Sequence, residues 1–288
     1  MQYRSNSILA LIPQSKECEA LLQQVIFFHH SLQMRVFILN LVPPFSNISK
    51  KFRPKKIENR ISEAREKLIN FIENSIQKNI PEELIVRILA GNVISTLIKE
   101  SKKGGYEFMV IDKSNDKFPG ALSKNEVDKI ISRSLCPVLT VNKNFPVSEI
   151  KKIVIPIDIS QASKKRLWWT TFFAKKYNAK VHIVSALNID IPETQSLAHK
   201  NADKIRSMLN ERGVPCEIKI LKVHQQERHK VILNYIEEEN PELVIIRTHQ
   251  ESIYSDARIG KFVSEIVHGC KMPVFTVGHS HPLPVDYK

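Results

Sequence analysis

An apolar run that ends in a carboxylate, Lys151-Lys-Ile-Val-Ile-Pro-Ile-Asp158, constrains this chain more than any other stretch. Continuous apolar character over this length suits a strand buried on both faces, as in a parallel sheet flanked by helices. The residues after it, Ile159-Ser160-Gln161, open an amphipathic pattern that reaches about Tyr177. Asp158 is therefore expected at the carboxyl end of the strand, where open α/β sheets bind their ligands. A weaker copy, Ile8-Leu-Ala-Leu-Ile-Pro13-Gln14-Ser15, stands near the amino terminus, with Ser15 where the second copy has Asp158. One unit is present twice, with different polar residues at the strand end.

The rest of the chain repeats the alternation. The first half reads as strands at 8–13, 35–42, 83–90, 106–112 and 137–141, with helices at about 16–32, 57–77, 91–102 and 124–134. The second half has strands at 151–157, 180–187, 216–223, 242–246 and 273–277, with helices at about 161–177, 193–212, 228–239 and 260–271. Matched pieces carry the duplication: Cys136-Pro137-Val-Leu-Thr-Val141 against Met272-Pro273-Val-Phe-Thr-Val277, and Glu107-Phe-Met-Val-Ile111 against Glu242-Leu-Val-Ile-Ile246. Strictly alternating strands and helices predict an α/β fold with a parallel sheet in each half and helices on both faces. The polar stretch 142–148 serves as a linker, giving domains at 1–145 and 146–288, and the tail from Gly278 is expected to be loosely held.

Composition narrows the function classes. No apolar stretch approaches the roughly 20 residues of a membrane span. The short run 8–12 stops at Pro13 without a secretory layout, so a cytoplasmic location is expected. The four cysteines (Cys18, Cys136, Cys216, Cys270) contain no C-x-x-C and read as free, mostly buried thiols. A formal net charge of +13 raises a nucleic-acid reading, densest at Lys50-Lys51-Phe52-Arg53-Pro54-Lys55-Lys56. No DNA- or RNA-binding signature accompanies that charge, so a solvated loop over 45–56 is preferred and a nucleic-acid partner ranks last. His224 and His229 flank Glu227 without the spacing of a zinc motif, and His279 and His281 read as solvated. Of Trp168 and Trp169, one is expected in the core and the other at an interface or partly exposed. Nothing assembles a Ser-His-Asp or Cys-His set, so no catalytic residue and no metal are assigned.

Val154-Ile-Pro-Ile-Asp158 with a helix behind it, the strand Glu242-Leu-Val-Ile-Ile246, and the terminal Pro-Val-Leu-Thr-Val strands together resemble the universal stress protein family, as a tandem of two such domains. The resemblance covers nearly the whole chain. It implies two doubly wound five-stranded parallel sheets of order 3-2-1-4-5. It also implies pairing of the two domains through their last strands within one chain, with a homodimer as a further option. One branch of the family binds ATP through an Asp after strand one, a Gly after strand three, and a glycine-rich loop after strand four that ends in Gly-Ser or Gly-Thr at a helix start. Glycines there let main-chain N–H groups approach phosphates, and the helix end adds partial positive charge.

This sequence departs from that pattern. In the first half Ser15 replaces the Asp, Gly91 remains, Asp112 and Asn115 stand where glycines are expected, and Lys124-Asn125 replaces the Gly-Ser or Gly-Thr pair. A carboxylate at 4 Å from a phosphate costs about 4 kcal/mol near a protein surface. The second half keeps Asp158 and Gly260, but Lys261 follows Gly260, no glycine follows strand three, and Arg247-Thr248-His249-Gln250 replaces the start of the loop. Arg247, Arg258 and Lys261 offer an electrostatic grip on an anion; in the competing reading Arg247 pairs with Asp158 and closes the cleft. The expectation is a non-catalytic, cytoplasmic tandem universal stress protein with eroded nucleotide sites and no cofactor. The alternative is an adenine-nucleotide binder, for ATP or AMP, that uses the second domain, with or without slow hydrolysis.

Overall fold

The computed structural model describes residues 6–45, 54–77, 80–103, 105–114, 120–142, 145, 149–157, 164–187, 196–223, 227–248, 259–278 and 281–284. Contacts divide the chain into two compact units, one of Met1–Ile130, Ser134–Cys136 and Val141–Val147, the other of Ile131–Arg133, Pro137–Thr140 and Ser148–Lys288. Each is built by alternating strands and helices.

The first five strands are β1 (Ser7–Leu11), β2 (Arg35–Val42), β3 (Leu84–Ala90), β4 (Phe108–Asp112) and β5 (Val138–Val141), in the order β3-β2-β1-β4-β5. Between them lie α1 (Glu19–Leu32), preceded by a 3-10 turn at Lys16–Cys18, then α2 (Pro54–Ile76), α3 (Val93–Lys103) and α4 (Lys124–Arg133). β1 pairs in parallel with β2 and β4, Ile8 lying opposite Val36 and Phe108. Every residue of β1 and β4 is buried, as the unbroken apolar runs require. Helix α1 supplies Leu21, Leu22, Val25, Phe28 and Leu32 to this core at helical spacing.

The later strands are β6 (Lys152–Ile157), β7 (Lys180–Leu187), β8 (Cys216–Lys222), β9 (Leu243–Arg247) and β10 (Val274–Val277), in the order β10-β9-β6-β7-β8. The helices between them are α5 (Lys164–Tyr177), α6 (Leu197–Asn210), α7 (Arg228–Glu239) and α8 (Lys261–Gly269). The second set repeats the 3-2-1-4-5 order of the first. Central β6 pairs in parallel with β7 and β9, Ile153 opposite Val181 and Leu243. Residues Val138–Thr140 of β5 group with this second unit and run antiparallel to β10, Val138 opposite Thr276 and Thr140 opposite Val274. Two hydroxyls brace that pair: Thr140 Oγ1 donates to the Val274 carbonyl at 3.1 Å and Thr276 Oγ1 to the Val138 carbonyl at 2.9 Å.

Three expectations need correction. Helix α2 starts at Pro54, so Lys55 and Lys56 are exposed on its first turn and are not part of a loop; Lys50–Arg53 lie outside the described residues. Proline lacks the N–H that the first helical position leaves unpaired, so it starts this helix where it reads as a breaker. The described residues of the tail, Gly278 and 281–284, are also held down. His281 is buried and its Nδ1 accepts the Gly278 N–H at 2.8 Å, while Trp169 Nε1 donates to the Pro282 carbonyl at 3.1 Å. The solvated reading of His281 is therefore wrong; His279 lies outside the described residues. Trp169 is fully buried, its ring centroid 5.0 Å from Phe275 and 5.9 Å from Phe173, whereas Trp168 is half-exposed beneath the Arg212 guanidinium at 4.8 Å.

Candidate functional site

In parallel sheets of this order the ligand cleft lies beyond the carboxyl ends of the strands. In the first half those ends are occupied by the chain's own polar groups. Asn40, buried at the end of β2, donates through Nδ2 to the Ile12 carbonyl at 2.9 Å, and Gln14 Nε2 donates to the Ala64 carbonyl on α2. Ser15, at the position of Asp158, caps the 3-10 turn with its backbone and makes no side-chain cap bond. Asp112, at a family glycine position, is buried, and its Oδ1 accepts the Ser114 N–H at 3.2 Å and hydroxyl at 2.5 Å. Asn115 lies outside the described residues.

Gly120, ahead of α4, also comes down on Pro13, just beyond β1. Gly120 has φ +90°, and a Cβ built on it would stand 2.9 Å from Cβ of Pro13. The last helix of this half then caps itself. Ser123 N–H and Oγ–H donate to Glu126 Oε2 at 2.9 and 2.8 Å, and the Glu126 N–H returns to Ser123 Oγ at 3.4 Å. This capping box puts a carboxylate at the amino end of α4, where helix N–H groups are suited to anions. Ser123-x-x-Glu126 is legible in sequence as a capping signature, but comparison with a Gly-Ser or Gly-Thr pattern draws attention to Lys124 and away from it.

The second half differs at the corresponding helix. Gly260 is the N-cap of α8, with extended backbone (φ −60°, ψ 151°) and no side-chain cap bond, and the first turn of α8 carries no acid. Lys261 extends into solvent and its Nζ meets Glu227 Oε1 at 3.2 Å. Glu227 is itself the N-cap of α7 and also meets Lys230 at 3.2 Å and His229 at 3.6 Å. The hydrogen bond from Lys261, followed by that from Lys230, holds the Glu227 carboxyl below the usual carboxylate range. Arg247 ends β9 half-buried, opposite Val277, and the next residue, Thr248, is buried with its N–H on the Val277 carbonyl at 3.1 Å. Asp158 and Arg258 lie outside the described residues.

Two residues of this region carry weight that the pattern of strand ends did not reveal. One is Glu227, which reaches Lys261 from a neighbouring helix. The other is Arg166 on the first turn of α5, a buried guanidinium whose Nη1 donates to the Pro156 carbonyl at 3.3 Å. An arginine among Leu167, Trp169 and Thr170 on a largely apolar helix was the available signal. Among the described residues no group of three or more His, Cys, Asp or Glu side chains can hold a metal ion. No helix among them is long and apolar enough to cross a membrane. All four cysteines are free thiols, Cys18, Cys136 and Cys270 buried and Cys216 partly exposed.

Residues 149–278 match the sequence profile of the Universal stress protein family. Over these residues the chain is similar to the universal stress protein family. Its fold is similar over 96% of its length to a universal stress protein from Archaeoglobus fulgidus DSM 4304, with 99% of that chain covered, a TM-score of 0.67 and 18% identity. A putative universal stress protein from Pseudomonas aeruginosa UCBPP-PA14 is similar over 95% of this chain and 93% of its own, with a TM-score of 0.63 and 14% identity. At these identities the likeness establishes the fold. A universal stress protein from Archaeoglobus fulgidus, solved in complex with dAMP, aligns with 45% of this chain and 98% of its own, at 16% identity and a TM-score of 0.36. Among curated proteins none matches the sequence.

Proposed function

We propose that this chain is a tandem universal stress protein that acts by binding and not by catalysis, with its first-half nucleotide cleft closed by its own side chains. The observation that carries this reading is the Ser123–Glu126 capping box. A phosphate approaching α4 would have to displace a carboxylate already bonded there, or share the helix end with it at a cost of about 4 kcal/mol for two like charges at 4 Å. The packing of Gly120 on Pro13 supports the same closure.

A second reading rests on α8. Its N-cap is Gly260, which has no side chain to cap the helix, and its first turn has no acid, which leaves the helix end chemically suited to an anion. Asp158, Arg247, Arg258, Gly260 and Lys261 would then form an adenine-nucleotide cleft in the second half, ATP or AMP being the ligand, with or without slow hydrolysis. Against this, Lys261 is already engaged by Glu227.

Thermal unfolding with and without ATP and AMP separates the readings. Saturation at 100 Kd adds about 2.7 kcal/mol of apparent stability. The first reading expects no saturable shift at millimolar nucleotide. A saturable shift abolished by Asp158→Ala establishes the second. A shift that survives Asp158→Ala but disappears when Ser123 or Glu126 is replaced defeats the closed-cleft reading outright.

A further inference from the structure

The second unit holds a buried polar cluster far from the strand ends that bear ligands. His182, on β7, is almost fully buried. Its Nδ1 lies 2.8 Å from the Tyr235 hydroxyl on α7, and its Nε2 lies 3.3 Å from Glu217 Oε1 on the edge strand β8. Glu239, one turn beyond Tyr235 on α7, brings Oε2 to 3.8 Å from Nδ1. The cations facing the cluster are Lys152 of β6, whose Nζ meets Glu239 Oε2 at 2.7 Å, Lys180 of β7, at 2.5 Å from Glu217 Oε2, and Lys219 of β8, at 3.6 Å from Glu217 Oε1. Glu242, which precedes β9, accepts the N–H groups of Lys151 and Lys152 at 3.1 and 2.8 Å.

This geometry selects one tautomer of the neutral ring. With neutral His182, Nε2–H donates to Glu217 and Nδ1 accepts the Tyr235 hydroxyl proton, so both ring nitrogens and the phenol are satisfied. The imidazole then ties α7 to β8 through β7. A second proton on the ring removes the acceptor: Nδ1–H faces the Tyr235 oxygen, and the phenol must turn its proton elsewhere. It also adds a positive charge to a buried site where Glu217 and Glu239 are already engaged by three lysines.

We propose that His182 is a proton-operated latch that, when neutral, fastens α7 to the edge strand β8 through Tyr235 and Glu217, and loosens that helix when protonated.

Burial keeps the imidazole below its ordinary pKa; Glu217 and Glu239 oppose the shift, and Lys152 and Lys180 add to it. The sign follows from linkage. A histidine with a depressed value in the closed state binds its proton more readily when the helix opens. Opening is then favoured by up to about tenfold per pH unit below the ordinary value near 6.5, until the closed-state value is reached. Glu217 and Glu239 are held below the usual carboxylate range, chiefly by their lysine hydrogen bonds, and so respond only at lower pH. Acid between about pH 6.5 and 5 therefore reads His182 before the carboxylates.

Hydrogen exchange of the whole chain between pH 5 and 7.5, corrected for intrinsic rates, tests the latch. Amides of residues 228–239 and 216–222 should lose several-fold protection in acid, and His182→Gln, neutral throughout, should abolish that response. An unchanged pH response in His182→Gln overturns the proposal. A response that survives His182→Gln and disappears in His229→Gln also overturns it, because His229 lies at the other end of α7 beside Glu227. Should His182→Gln fail to fold, imidazole NMR on the unsubstituted chain decides. The ring must titrate below the ordinary histidine value with α7 amides shifting on the same curve; titration at or above that value, or without those shifts, refutes the latch.

Discussion

Glu126→Ala is the most informative single change, because it tests whether a carboxylate of the chain stands where an anion would. Glu126 Oε2 accepts two hydrogen bonds from Ser123, at 2.9 and 2.8 Å, at the start of α4. Loss of a capping interaction costs about 0.5–2 kcal/mol. Both bonds are exposed to solvent, which argues for the lower half of that range, about 1 kcal/mol. For a cooperative unit of 150–250 residues this lowers Tm by about 2–4 °C. The diagnostic part is the rescue. An inorganic anion can take the vacated position on the helix N–H groups, so phosphate should narrow the gap between variant and parent relative to chloride at equal ionic strength. Comparing the gap, and not the absolute Tm, removes the general stabilisation that such salts give every protein. The assay is thermal unfolding of both proteins in the two salts. A variant as stable as its parent in chloride, or a gap unaffected by phosphate, would refute the idea that Glu126 fills an anion position.

Other perturbations follow from the same contacts. Gly120→Ala should cost about 1 kcal/mol or more, since it forces a side chain into a φ of +90° and against Pro13 at 2.9 Å; urea unfolding measures it. Trp169→Phe keeps a ring against Phe275 but deletes the donor to Pro282, so about 1 kcal/mol is expected, together with faster proteolysis near residues 281–284. Burial pushes the Cys136 thiol up to about 11, so a thiol reagent at pH 8 should label only Cys216 in the native chain and all four cysteines after denaturation. Mass spectrometry of the labelled peptides checks both the site and the count.

The architecture was legible wherever one local pattern settled the matter. Strand β7 runs from Lys180 to Leu187 and helix α7 from Arg228 to Glu239, as apolar runs and helical spacing indicate. Local pattern misled where one residue type has two structural uses: Pro54 starts a helix and reads as a breaker, and His281 is polar yet packs over Gly278. At the strand ends, sequence comparison detects where the glycines of the ATP-binding branch are absent but not what packs there. The contacts come from distant positions: Pro13 meets Gly120, Gln14 reaches Ala64, and Glu227 reaches Lys261. Such contacts join segments tens of residues apart and leave no periodic trace along the chain.

The self-capped start of α4 carries a consequence for how this half could come to hold a nucleotide. A glycine at 112 would open the approach to the main chain, yet the helix end would still present its own negative group. Deleting that group alone would free the helix end for a small anion but leave the main chain closed to a nucleotide. Neither step suffices without the other, so the route to such a site runs through less stable intermediates and works as a ratchet.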